Sequence, residues 1–183
     1  IFAHYTSWVL PFVSVGIRMW DASLDLWLQR MMVCFGDVRG KTVLDYGSGA
    51  GHKAILLAQL GARATAVEIN PLDIQRIQDS PRQAGVALDV HAGGIETLKQ
   101  FPDAGFDRIL LSEVIEHLPV AEIGSLHQEL RRILKPEGKL FLTTPNTLSV
   151  DARLKYFMSG YYPRFRPLML TPDKVMSHPV DDA

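Results

Sequence analysis

Between Lys41 and Pro145 the chain alternates short apolar runs with longer stretches of helical spacing, and this alternation constrains the fold more than any other feature. Strands joined through helices pair in parallel, because a parallel pair needs a long crossover connection. The strand candidates are Thr42 to Tyr46, Arg63 to Glu68, Ala87 to Ala92, Phe106 to Leu111 and Lys139 to Thr144. Most are apolar nearly throughout, as strands covered on both faces are. Helices are predicted over about residues 51–60, 71–83 and 121–134. Gly61 stops the first and Pro71 opens the second, where a missing N–H costs nothing. The third carries Ile123, Leu126, Leu130, Ile133 and Leu134 on one stripe, with Glu129, Arg131 and Arg132 for the wet side, so it reads as a covering helix. Lys135-Pro136-Glu137-Gly138 reads as a turn into the last strand. Upstream, Ile17 to Phe35 reads as an amphipathic helix whose Trp20, Leu24, Trp27, Leu28 and Met31 pack as core or as a lid over the sheet edge.

Composition narrows the class further. The 183 residues are 47% hydrophobic and 21% charged, a globular balance that excludes collagen-like, coiled-coil and disordered chains. A net charge of −1 offers no overall positive field to nucleic acid or anionic lipid. The stretch from Trp8 to Trp20 is broken by Pro11, Gly16 and Arg18, too short for a bilayer span and without a secretory signal's basic start. Cys34 has no partner for an internal disulfide and reads as a buried apolar residue in a reducing cytoplasm. The chain starts at Ile1 rather than Met, which suggests a fragment. After Asn146 the pattern fails. Residues 154–168 mix Arg and Lys with Tyr and Phe, and read as a loop packing its rings on the domain.

Val43-Leu44-Asp45-Tyr46-Gly47-Ser48-Gly49-Ala50-Gly51 is a strand running into a glycine loop and a helix. Glycines there let a ligand lie against the backbone at the carboxyl end of the first strand, before the free N–H groups of a helix start. The GxGxxG dinucleotide pattern is broken by His52, and the P-loop pattern by Gly51-His52-Lys53. Glu68 ends the second strand, twenty-three residues after Asp45. A carboxylate there can accept both hydroxyls of a ribose, and Ile69 can lie on a purine face. Together these residues read as a nucleoside site.

Asp45-x-Gly47-x-Gly49-x-Gly51, then Glu68, then Phe106-Asp107-Arg108-Ile109 to Pro119, then Leu134-Lys135-Pro136-Glu137-Gly138 to Pro145-Asn146, resembles the ordered motif set of class I S-adenosylmethionine-dependent methyltransferases. The resemblance covers about residues 41–146 and implies a Rossmann-like α/β three-layer sandwich with a mainly parallel sheet. It also implies that Asp45 and the loop residues Gly47, Ser48, Gly49 and Gly51 hold the methionine portion of S-adenosylmethionine, that Glu68 holds the ribose, and that Ile69 contacts adenine. Leu111 and Ser112 would line the approach to the sulfonium, and Tyr46 would add a cation–π contact. Relatives commonly carry Gly-Asp after the third strand; here Gly93-Gly94 stands instead, leaving the backbone N–H of Ile95 to meet adenine and weakening affinity. The two further strands of the family fold are not found in this sequence.

Ser112-Glu113-Val114-Ile115-Glu116-His117-Leu118-Pro119 follows the fourth strand. On a helical turn Glu113, Glu116 and His117 would project to one side and could hold Mg²⁺, Mn²⁺ or Zn²⁺. The ExxEH pattern resembles the metal-binding element of ubiquinone-pathway O-methyltransferases and of small-RNA 2′-O-methyltransferases. The alternative leaves both carboxylates solvated and His117 capping the turn. His178 is a weak further ligand, and His4, His52, His91 and His127 have no spacing partners.

The organisation expected is a helical cap over 1–40, an S-adenosylmethionine-binding domain over 41–146, and an insertion or truncated substrate segment over 147–183. The activity expected is methyl transfer to a small acceptor at oxygen, glycan-, lipid- or quinone-like, with His117 and Glu113 aiding deprotonation. The alternatives are a non-catalytic nucleoside-binding regulatory module and an RNA 2′-O-methyltransferase, the latter needing a basic face that the net charge does not advertise.

Overall fold

The structure, a computed structural model, describes residues 22–146 and 148–159. The chain divides at Gly36–Asp37 into two units. In the first, helix α1 (Ala22–Phe35) buries Leu28, Met31 and Phe35, spaced three and four apart along one stripe. Trp20 lies outside the described residues, and Cys34 is half-buried rather than enclosed.

The second unit runs β1 (Thr42–Tyr46), α2 (His52–Gln59), β2 (Arg63–Glu68), α3 (Pro71–Ala84), β3 (Leu88–Ala92), a 3₁₀ turn (Ile95–Gln100), β4 (Phe106–Ser112), a second 3₁₀ turn (Ile115–His117), α4 (Val120–Ile133), β5 (Leu134–Thr143) and α5 (Val150–Ser159). The strands form one sheet in the order β3-β2-β1-β4-β5, every neighbouring pair parallel. The order reverses between β1 and β4. The loops leaving those two strands therefore diverge to opposite faces and open a crevice at the carboxyl ends, where ligands of doubly wound sheets bind.

Alternation along the strands divides the core. Leu44, Tyr46, Ile109 and Leu111 face one side, where Leu126, Leu130 and Ile133 of α4 and Leu98 of the first 3₁₀ turn cover them. Val43 and Leu110 take the other parity, and the buried Ala54 and Leu57 of α2 and Ile77 of α3 make up the remaining layer. At the amino end of the sheet Asp107 clasps its neighbours: Oδ2 accepts Thr42 N–H at 2.9 Å and Thr42 Oγ1 at 2.8 Å, and Oδ1 pairs with Lys135 Nζ at 2.9 Å.

In the second unit three expectations differ from the structure. The turn at Lys135-Pro136-Glu137-Gly138 is absorbed into β5: Phe106 pairs with Leu134 but Arg108 with Lys139, so the extra residues form an irregularity in the ladder. Pro136 is tolerated because β5 is an edge of this sheet among the described residues. Arg132 is no solvated helix charge. Its guanidinium donates to Leu98 O and Phe101 O, both at 2.9 Å, and satisfies carbonyls where the first 3₁₀ turn ends. After Asn146 a helix, α5, forms where a loop was expected. Tyr156 and Phe157 are exposed on it, while the remainder of the basic and aromatic stretch and His178 lie outside the described residues.

Candidate functional site

Gly47 and Gly49 bend β1 into its loop with φ of 70° and 54°, a region that side-chain-bearing residues rarely enter. A Cβ at Gly47 would overlap the Val114 side chain, so the loop packs directly on the segment after β4. At Gly49 a Cβ would meet nothing within 4 Å, which leaves an open cradle beside the backbone. Gly47 N–H and Ser48 N–H both donate to Val67 O, at 2.9 and 3.2 Å, and tie the loop to the end of β2.

Glu68 closes β2, and its carboxylate, only 7% exposed, is the hub of the site. Oε2 accepts Gly49 N–H at 2.7 Å, and Oε1 accepts the N–H groups of Ile69 and Asn70, both at 2.8 Å. Asn70 then starts α3: its side-chain oxygen accepts Leu72 N–H at 3.0 Å and Pro71 occupies the first helical position. Ile69 is left exposed, and the place where a Cβ of Gly94 would stand is 3.5 Å from Ile69 Cδ1. The ends of β2 and β3 thus form a cleft with an apolar wall and a carboxylate floor.

Asp45 lies under the loop, not open to the cleft. It is 1% exposed, its Oδ2 is shut from solvent without a hydrogen-bond partner, and it accepts a backbone hydrogen bond from Ala54 in α2. Burial pushes its carboxyl up to about 7, against the nearby charge of Lys53. Tyr46 departs from its expected role. Its ring is buried in the core with Leu44 and Val67, so it faces packing rather than a sulfonium. Burial also pushes its hydroxyl up to about 12. Leu111 is likewise spent on the core, while Ile95 is half-buried against it. Ser48 Oγ reaches only the Val67 carbonyl, at 3.5 Å.

The segment after β4 does not form the expected metal face. Glu113 takes φ 59°, which turns it away from the short 3₁₀ turn that follows, so the helical i, i+3, i+4 geometry never arises. Glu113 and His117 are exposed, whereas Glu116 is 6% exposed, with Oε2 accepting Thr144 Oγ1 at 3.4 Å and Oε1 without a hydrogen-bond partner. Among the described residues no three His, Cys, Asp or Glu side chains are grouped to hold a metal ion. The assignment of Glu113, Glu116 and His117 to Mg²⁺ is therefore corrected: one carboxylate points inward and the other two groups point out.

Sequence reasoning missed Lys53, Thr143 and Thr144. Lys53 Nζ donates to Ser112 Oγ at 2.7 Å, and Ser112 Oγ shares a 2.9 Å hydrogen bond with Thr143 Oγ1. Burial lowers the Lys53 ammonium's pKa, opposed by Asp45, Glu113 and Glu116. The available signal is a lysine in the first turn after the glycine loop, a position that the sequence alone marks only as a broken phosphate-loop pattern. The carboxyl ends of β2, β1 and β4 thus present, in spatial order, a hydrogen-bonded carboxylate, an open backbone cradle and a buried polar cluster.

Comparison with known proteins identifies the family of the chain. The family profile described as a methyltransferase domain matches residues 44–142. Ubiquinone biosynthesis O-methyltransferase of Xanthomonas oryzae pv. oryzae is 30% identical over 169 residues, covering 85% of this chain and 68% of that protein. The protein of the same name from Pseudomonas paraeruginosa is 34% identical over 148 residues, covering 75% and 62%. Among solved structures, PH0226 protein from Pyrococcus horikoshii OT3 superposes with a TM-score of 0.65 at 22% identity, over 80% of this chain and 71% of that one. A SAM-dependent methyltransferase from Archaeoglobus fulgidus does so with a TM-score of 0.62 at 22% identity, over 82% and 62%. The likeness to these two structures is one of fold. No described helix is long and apolar enough to cross a membrane.

Proposed function

The chain belongs to the class I S-adenosylmethionine-dependent methyltransferases, and on that premise we propose that it methylates the oxygen of a small-molecule acceptor held beyond β4. The observation that carries the reading is the exposed pair Glu113 and His117 on the turn that leaves β4, next to the strand end where Ser112 lies. The open space at Gly49, the Glu68 carboxylate and the exposed Ile69 fit a nucleoside-bearing donor. When bound, S-adenosylmethionine supplies a methyl group on a cationic sulfur, which an acceptor lone pair takes in line, so alignment does most of the work.

The protein's own residues then have separable tasks. Glu68 accepts ribose hydroxyls, Ile69 covers a ring face, and the Gly47–Gly49 backbone admits the methionine chain that leaves the ribose. An oxygen acceptor must give up its proton. The exposed imidazole of His117 takes it in this reading, with Glu113 as the second polar contact to the acceptor. Two relatives named O-methyltransferases support oxygen as the atom methylated, and a net charge of −1 supports a small acceptor over nucleic acid. A reducing cytoplasm as the setting belongs to the same proposal, supported by the lone Cys34.

The test is transfer from methyl-labelled S-adenosylmethionine to four small acceptors: a phenol, a carboxylate, an amine and a thiol. The expected result is label on the phenol oxygen, lowered about a hundredfold by His117→Ala. Label that goes only to nitrogen or sulfur, or an unchanged rate in His117→Ala, overturns the proposal.

A further inference from the structure

Lys53 stands in the first turn of α2, directly behind the glycine loop, yet its ammonium ends on a different strand. Nζ donates to Ser112 Oγ at 2.7 Å, and Ser112 is held in turn by Thr143 Oγ1 on β5 at 2.9 Å. The side chain is half-buried, and Asp45, Glu113 and Glu116 provide the negative charge around it. A lysine stem is long and flexible, and water solvates its ammonium well. Folding this one back over the ends of β1 and β4 places a fixed cation in the crevice.

Distance along the sheet says which ligand group meets that cation. β2, β1 and β4 are neighbours, and strands lie about 4.8 Å apart, so the carboxyl ends of β2 and β4 are separated by roughly 10 Å. With the donor's ribose at Glu68, on β2, seven bonds lead from the ribose C3′ through sulfur to the carboxylate carbon. Extended, at about 1.3 Å of advance per bond, they span roughly 9 Å. The amino-acid end of the donor therefore falls at the end of β4, where Lys53 Nζ is held.

Resting on the donor site described above, we propose that Lys53 binds the α-carboxylate of S-adenosylmethionine and S-adenosylhomocysteine. The surrounding charges explain why a cation is needed. Glu113 and Glu116 act on Lys53 as nearby negative charges, so a donor carboxylate at this strand end needs the Lys53 cation to offset them. Ser112 and Thr143 keep Nζ at the strand end and off the loop.

The test titrates the 183-residue chain and its Lys53→Met and Lys53→Arg variants with two ligands. S-adenosylhomocysteine carries the amino-acid end; 5′-methylthioadenosine keeps the nucleoside and the sulfur but lacks it. Lys53→Met is expected to weaken S-adenosylhomocysteine roughly ten- to hundredfold and to leave methylthioadenosine within about twofold, with Lys53→Arg recovering part of the loss. Equal weakening of both ligands makes Lys53 a support of the loop and overturns the proposal, as does an unchanged affinity for S-adenosylhomocysteine. A folded wild-type chain that binds neither ligand overturns the donor site itself, and this assignment with it.

Discussion

Replacing Glu68 is the most direct perturbation of the donor site, because the structure counts what that carboxylate has left to give. A carboxylate offers about four acceptor positions. Ile69 N–H and Asn70 N–H fill two on Oε1, and Gly49 N–H fills one on Oε2, so the remaining position is on Oε2. A ribose diol takes that position with one hydroxyl and shares or displaces the Gly49 contact with the other. Glu68→Gln can keep the two bonds on one side, but it sets an NH₂ against the Gly49 N–H and removes the charge. A hydrogen bond to a charged group contributes about 1.5–3 kcal/mol, so Glu68→Gln should weaken S-adenosylhomocysteine roughly thirtyfold. Glu68→Ala also frees Gly49 from β2, and the loss should reach about a hundredfold or more. Isothermal titration at fixed salt measures both. Methylthioadenosine, which shares the ribose, should fall in parallel, and a melting curve shows whether each variant is folded at the titration temperature. A folded Glu68→Ala chain that binds within threefold of wild type would refute the placement of the ribose at this strand end.

Gly94 offers a gain-of-affinity test: its φ of −107° lies outside the left-handed region, a Cβ would meet only Ile69 Cδ1 at 3.5 Å, and a melting curve checks that Gly94→Asp is folded. An added carboxylate facing the adenine amino group should tighten S-adenosylhomocysteine about fivefold in the same titration; unchanged affinity sinks the adenine placement. Asp107 gives a pH signature. Burial raises its pKa, but the Lys135 ammonium and the Thr42 hydrogen bonds outweigh that and hold the carboxyl well below the usual carboxylate range. A depressed folded pKa contributes stability that is fully present above the unfolded value of about 3.9 and is lost as pH falls through the folded one. Asp107→Asn should therefore cost about 2 kcal/mol at pH 7 in urea melts, and the gap to wild type should begin to narrow near about pH 4 and go on shrinking as the pH falls further; a gap independent of pH rules out the ionised clasp.

What the sequence made legible follows from where the determining forces act. Strands β1, β2 and β4 were readable because both faces of each are covered, so their apolar runs are continuous; α4 was readable because Leu126, Leu130 and Ile133 meet a single layer. Glu68 was readable because its partners, Gly49 and Ile69, belong to a loop and a strand end already marked by glycine and by the end of an apolar run. Helix α5 was missed for the opposite reason. Leu154, Tyr156, Phe157 and Met158 are all exposed, so no buried stripe imposes a period on its sequence. Tyr46 and Leu111 stand at strand ends near the crevice, but alternation turns their side chains down into the core, which their place in the sequence does not reveal.

The Lys53 to Ser112 contact joins residues 59 positions apart, on a helix and a strand that meet only once the sheet order places β4 beside β1. Local patterning carries no trace of such a pair. The same holds for Glu116, whose neighbour Thr144 comes from beyond the end of β5. A glycine loop announces that a ligand can approach the backbone, because that is a property of the residues in sequence. Which charges wait at the far end of the crevice is a property of strand order. The proposed acceptor for the donor's diol is therefore readable in the sequence, whereas the proposed cation for its carboxylate is visible only where β2, β1 and β4 stand side by side.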